Sequence, residues 1–272
     1  MKTININRLN CALSTIHKEN KEMFQSGKFY ELLSKVHVKA STKHSLRKLL
    51  ITLSSIWQYL GIIYDDILQL YHWKKLYNQK RLDKELWRRF AEINIKHFYV
   101  DYRSLFDFIA KAIGLVSDSP GQIPKKSFND LKKWIENNPN RVEKLGKDLA
   151  DVVMSCDWFK DIKYVRDSIL HWGGSVLVFY DKDKILFQIH DERAKRYILE
   201  PEIIMSNENV ADFELYAGLY IGYLIAYLEE VSEVIISRLN LSIKKLTSKS
   251  CHGSLHIIYK WIEKVLHKLD KS

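Results

Sequence analysis

Glycine and proline are scarce, at 10 and 4 residues in a chain of 272. So few turn-formers argue against an all-β sandwich or a loop-rich secreted scaffold. Cysteine is scarce too: Cys11, Cys156 and Cys251 are odd in number and widely separated, so no disulfide framework is expected. No long hydrophobic run is present. The longest, residues 216–228, falls short of the roughly 20 residues that cross a bilayer, so no membrane partner is expected. Residues 1–16 are interrupted by Asn5, Asn7, Arg8 and Asn10 and lack the apolar centre of a signal peptide, which favours a cytoplasmic location. A Gly-rich phosphate loop, a nucleophile elbow and internal repeats are also missing.

What remains is a chain with 46% hydrophobic and 28% charged residues, the balance of a folded globular protein with a sizeable core. Basic residues outnumber acidic ones 43 to 33, a formal net charge of +10. That excess favours polyanionic partners such as nucleic acid or nucleotides. The basic pairs are dispersed, for example Lys74–Lys75, Arg88–Arg89, Lys125–Lys126 and Lys244–Lys245. Solvated helix faces account for them equally well.

Apolar periodicity is helical nearly throughout. Ser41 is positioned to cap a helix whose face runs through Leu46, Leu49, Leu53, Trp57, Leu60, Tyr64, Ile67 and Tyr71. After a basic turn at residues 79–81, a second long helix is expected over residues 83–116. Its face is expected to include Leu86, Phe90, Ile93, His97, Val100, Leu105, Phe108, Ile109 and Ile113. Residues 117–124 break it. A short helix over 128–136, a stop at 137–140 and a helix from Arg141 toward Cys156 follow. Asp157 or Asp161 can open the next helix, which should end at Gly173–Gly174. The period then drops to two over 175–180 and 185–190, a β-hairpin. Residues 199–209 read as a loop or short helix, 211–239 as a long helix and 255–269 as a final one. The expected fold is mainly α, an up-down helical bundle over 41–240 with one inserted hairpin at about 175–190. Helical extensions over 1–40 and 241–272 flank it.

Within this pattern, Tyr164-Val-Arg-Asp-Ser-Ile-Leu-His171 concentrates chemistry at a helix end. Asp167 and His171 are four apart on one helical face, so the carboxylate can orient the imidazole or raise its pKa. The last helical turn also favours the imidazolium. Arg166 offers a planar guanidinium that can hold a phosphate through two hydrogen bonds. On an ideal helix Arg166 and His171 lie about 140° apart, so converging cations would require a second copy or another helix. The alternative is structural: an Asp167–His171 pair within the helix and Arg166 paired to an acid elsewhere.

Arg166-Asp167-x-x-x-His171, at the end of a helix that follows two long helices, resembles the signature of the HEPN superfamily. The resemblance implies a metal-independent endoribonuclease with no cofactor, in which Arg166, Asp167 and His171 are catalytic. It also implies a homodimer acting on RNA, in a toxin–antitoxin or phage-defence setting. An antitoxin or a nucleotidyltransferase are the implied protein partners. Two other readings stay open: a HEPN-like module that binds RNA or nucleotides, or docks on a partner, without cleaving; and a plain helical interaction scaffold.

Asp101, in Lys96-His-Phe-Tyr-Val-Asp-Tyr-Arg103, is a candidate to approach and support that site, as is Tyr164 at the head of the motif. An Asp101–Arg103 surface pair is the competing reading. Gly218, Gly222 and Ala226 form a small-residue stripe at steps of four, which should admit a close helix, more readily one of the same chain than of a second copy. Cys251, His252 and His256 lack a fourth ligand in reach, and Asp65–Asp66 is a lone acidic pair, so no metal site is expected.

Overall fold

The computed structural model describes residues 5–21, 27–124, 127–138, 140–171, 176–181, 184–189, 192–199, 201–241 and 253–270. The fold is mainly helical, with one small antiparallel sheet. Its framework is a pair of long helices, α3 (Arg47–Asn78) and α4 (Lys84–Leu115), preceded by α1 (Ile6–Lys21) and α2 (Lys28–Ala40). The turn between α3 and α4 is set by Lys80 in the left-handed region (φ 57°) and by Asp83, whose carboxylate accepts from Leu86 N at 2.9 Å. Trp73 stacks on Phe90 near the turn and Tyr59 meets Phe108 further along, so the two helices run antiparallel. Four shorter helices follow: α5 (Phe128–Glu136), α6 (Arg141–Leu145), α7 (Lys147–Ser155) and α8 (Phe159–His171). The chain then forms β1 (Val178–Asp181), β2 (Lys184–Gln188), α9 (Glu192–Lys195), α10 (Pro201–Ile204), β3 (Met205–Asn207) and β4 (Val210–Asp212). It closes with α11 (Phe213–Arg238) and α12 (Gly253–Asp270).

The axis of the core is α11, which is apolar on all sides and buried along most of its length. Asp212 caps it by accepting from Glu214 N and Leu215 N. The helices α1, α2, α7, α10 and α12 and the strands β2 and β4 all pack on it. Aromatic side chains fill the layer between α4, α8 and α11: Tyr102, Phe106, Trp158, Phe159, Tyr220 and Tyr227 are buried together.

The expected hairpin is present, with Val178 opposite Phe187 and Asp181 opposite Lys184. It is the outer half of a four-stranded sheet in the order β1-β2-β4-β3. Residues 201–204 form the short helix α10, but residues 205–207, read from sequence as part of a loop or short helix, and 210–212, where the long helix was expected to begin, are instead the strands β3 and β4. Three-residue strands are too short to show alternation. Three other local readings also shift. Ser41 closes α2 rather than opening α3, its hydroxyl donating to Val38 O at 2.6 Å, and α3 begins only after a 3-10 turn at His44–Leu46. The helix expected from Arg141 to Cys156 is broken in two at Gly146, which takes φ 96°, a conformation open to glycine, and whose missing side chain leaves the space that the Arg238 guanidinium fills. Asp161 opens no helix; it points inward from the first turn of α8.

The buried face of α4 differs over its first half. Leu86 and Ile93 are 42% and 48% exposed, while Trp87, Ala91, Ile95, Phe98, Tyr99 and Tyr102 face the core. This helix carries apolar residues on two sides. The aromatic side buries more area per residue and takes the interior. From Leu105 to Ile113 the expected and observed faces coincide at Leu105, Ile109 and Ile113.

The small-residue stripe on α11 receives α12 of the same chain. A Cβ at Gly218 would lie 2.8 Å from Val265 Cβ, whereas one at Gly222 would meet only the movable end of Leu266 at 3.0 Å. Gly218→Ala is therefore expected to push α12 outward and cost about 1–2 kcal/mol despite alanine's better helix propensity. Gly222→Ala should cost less. Urea unfolding of both variants measures the difference; equal stability of the two would contradict this packing.

Candidate functional site

Helix α8 divides cleanly into an inner and an outer face. Trp158, Phe159, Asp161, Ile162 and Val165 are buried, recurring at helical spacing. Asp161 is fully buried and accepts a hydrogen bond from Tyr220 Oη, which ties α8 to α11. Lys160, Lys163 and Arg166 follow at steps of three on the outer face, with Tyr164 and Asp167 between them.

The structure brings Arg166 and Asp167 together. Arg166 Nη1 donates to Asp167 Oδ1 at 2.9 Å, and Lys163 Nζ lies 3.4 Å from Asp167 Oδ2. Both members of the Arg166–Asp167 pair are 26% exposed, so they are neither locked in the core nor fully solvated. One carboxylate thus serves two cations and fixes the direction of the guanidinium. His171 closes α8, but its side chain lies outside the described residues, as do residues 172–175, where the glycine stop was expected.

Tyr164 stands in a layer of its own. Its ring stacks on Tyr197, just beyond α9, with centroids 5.3 Å apart and planes 22° apart. Lys163 Nζ sits 4.5 Å and Arg193 Cζ 5.2 Å from the centroid of Tyr164, while Lys160 Nζ is 5.8 Å from that of Tyr197. Sequence reading missed Lys160, Lys163, Arg193 and Tyr197. The spacing Lys160-x-x-Lys163-x-x-Arg166 was a readable signal. Nothing local announces that Arg193 and Tyr197 return to the same face, because that depends on how the sheet turns the chain.

Asp101 lies in the seam between α3 and α4. The groups that face it are His97 and Asp66, and Arg103 pairs with Asp107 rather than with Asp101. Asp66 is buried; its Oδ1 accepts from Asn94 Nδ2 at 3.4 Å and lies 3.8 Å from His97 Nδ1. Burial, with the Asp101 and Asp65 carboxylates nearby, pushes the Asp66 carboxyl up to about 6, against the opposing pull of Asn94 and His97. Burial raises Asp101 as well.

Among the described residues no group of three or more His, Cys, Asp or Glu is placed to hold a metal ion. Cys251, His252 and the side chain of His256 lie outside the described residues. Also among the described residues, no helix is long and apolar enough to cross a membrane. No protein-family model, curated protein or solved structure matches the chain.

Proposed function

We propose that the chain is a metal-independent endoribonuclease whose reaction centre is the outer end of α8. The observation that carries the reading is the Arg166–Asp167 pair, a guanidinium oriented at 2.9 Å by its neighbouring carboxylate, one helical turn before His171. In the proposed reaction the RNA 2′-oxygen bonds to the adjacent phosphorus and gives up its proton, while the bond from phosphorus to the 5′-oxygen breaks and that oxygen gains a proton. The products are a 2′,3′-cyclic phosphate and a 5′-hydroxyl. His171 moves a proton, Arg166 stabilises the charge on the phosphorane oxygens and Asp167 holds Arg166 in place. This is the chemistry that the resemblance to the HEPN superfamily implies, as is its use in a toxin–antitoxin or phage-defence setting.

The reading includes a homodimer. Arg166 and His171 diverge on one helix, and a two-fold axis near the end of α8 pools two arginines and two histidines over one phosphate. A module that binds RNA without cutting it is the competing reading. In that reading the Arg166–Asp167 pair, with Lys163 on the same acid, is a structural ion pair and moves no proton. Incubating the protein with end-labelled RNA in excess EDTA separates the two. Cleavage to products ending in a 2′,3′-cyclic phosphate is expected. Intact RNA, or cutting that needs added Mg²⁺ or Mn²⁺, would contradict the proposal.

A further inference from the structure

We infer that the outer faces of α8 and α9 form a track for the sugar–phosphate backbone of single-stranded RNA, in which Lys160, Lys163 and Arg193 are held in place by the Tyr164–Tyr197 stack. The inference rests on the ribonuclease reading for the identity of its ligand. It adds a binding surface beyond the Arg166–Asp167–His171 motif.

Two features make this more than a solvated basic face. Lysine and arginine side chains on a surface ordinarily sample many rotamers, and ordering them on a ligand costs entropy. Here all three sit over aromatic ring faces at 4.5, 5.2 and 5.8 Å, where the ring quadrupole attracts them. The two tyrosines cover each other and carry cations, so they act as a mount for charge rather than as a platform for bases. The balance of charge is also one-sided. Lys160, Lys163, Arg166 and Arg193 meet the single carboxylate of Asp167 here, because Glu192 is paired with Lys195 and Asp161 is turned into the core toward Tyr220. A surface that reads phosphates through mounted cations has no means of reading bases, so its binding is insensitive to sequence. An unpaired strand fits the chemistry at Arg166, because the 2′-oxygen must swing into line with the bond to be broken, which an A-form duplex prevents.

The test uses the full chain and a fluorescein-labelled oligouridylate carrying 2′-O-methyl groups throughout, so that binding is read without cleavage. The double variant Lys160→Gln/Arg193→Gln should weaken binding roughly tenfold near 0.1 M salt. It should also flatten the dependence of log affinity on log salt by about 1.4, or about 0.7 per lost phosphate contact. Tyr197→Leu should weaken binding several-fold while leaving that slope unchanged, since it removes the mount and keeps the charges. Lys144→Gln/Lys147→Gln, which removes the same charge from exposed positions on α6 and α7, should have little effect. A control variant that loses as much affinity as the α8–α9 variant would overturn the track, as would binding to phosphatidylserine vesicles in preference to RNA. Wild-type binding by the α8–α9 variants of an enzyme that still cuts RNA would overturn the track alone. Wild-type protein that neither binds nor cuts RNA would overturn the ribonuclease reading together with it.

Discussion

His171→Ala is expected to lower the rate of RNA cleavage by roughly 10²–10⁴-fold, the range lost when a positioned proton-transfer group is removed. Arg166→Lys is the sharper companion. It preserves the charge but loses the planar fork that Asp167 orients at 2.9 Å, so a fall of about 10²-fold or more in kcat is expected with a smaller change in RNA affinity. Retention of full activity by either folded variant would remove the motif from the reaction. Mixing inactive Arg166→Ala and His171→Ala protomers extends the experiment: in a site built from two copies, each chain can supply the group the other lacks, and part of the activity returns.

The second large effect concerns stability and its dependence on pH. Asp66 is held at about 6 in the folded chain against an ordinary value of 3.8, chiefly by burial. The folded state therefore binds the proton more tightly than the unfolded state. The stabilisation this gives is complete below about pH 4 and is lost as the pH rises through about 6, a swing of about 2–3 kcal/mol. The groups around Asp66 are the Asp65 and Asp101 carboxylates, the His97 imidazole and the amides of Asn94 and Gln69. Asp66→Asn keeps an acceptor for Asn94 and removes the charge, so it should stabilise the protein at pH 7.5 by about 1–3 kcal/mol and do little near pH 4. Urea denaturation at the two pH values checks this. A variant equally destabilised at both would mean that Asp66 is a satisfied ionised partner.

The seam containing Asp66 also shows where sequence reading stops. Helix α3 was legible because Leu49, Leu53, Leu60, Tyr64 and Ile67 recur at helical spacing and are the residues it buries, even though Ile51 and Ile62 stay exposed on its other side. Helix α4 was legible as a helix, but it has two apolar sides, and periodicity cannot say which of them meets α3 and α11. Choosing the aromatic one requires knowing that Trp158, Phe187, Tyr216 and Tyr220 wait on the other side. The sequence ran one helix through Gly146. The structure breaks it there, and Arg238, some ninety residues later, reaches Asp148 and Asp118 through the space beside the glycine, a long-range contact that no local pattern announces. The strands β3 and β4 are visible only once β2 offers an edge to pair with. At the candidate site, the adjacency of Arg166 and Asp167 and the row of cations on α8 are local and could be read. The contribution of α9, which brings Arg193 and Tyr197 onto Tyr164, is tertiary and could not.

The central claim is that an RNA 2′-hydroxyl is the nucleophile and that α8 supplies the groups that activate it. Its most direct test is a matched pair of substrates in EDTA: an oligoribonucleotide cut by the protein, and the same sequence carrying a 2′-O-methyl group at the scissile nucleotide. Cleavage of the first to a 2′,3′-cyclic phosphate, with the second bound but uncut, is the predicted result. Equal cleavage of both would place the nucleophile elsewhere, and the proposed reaction would be wrong.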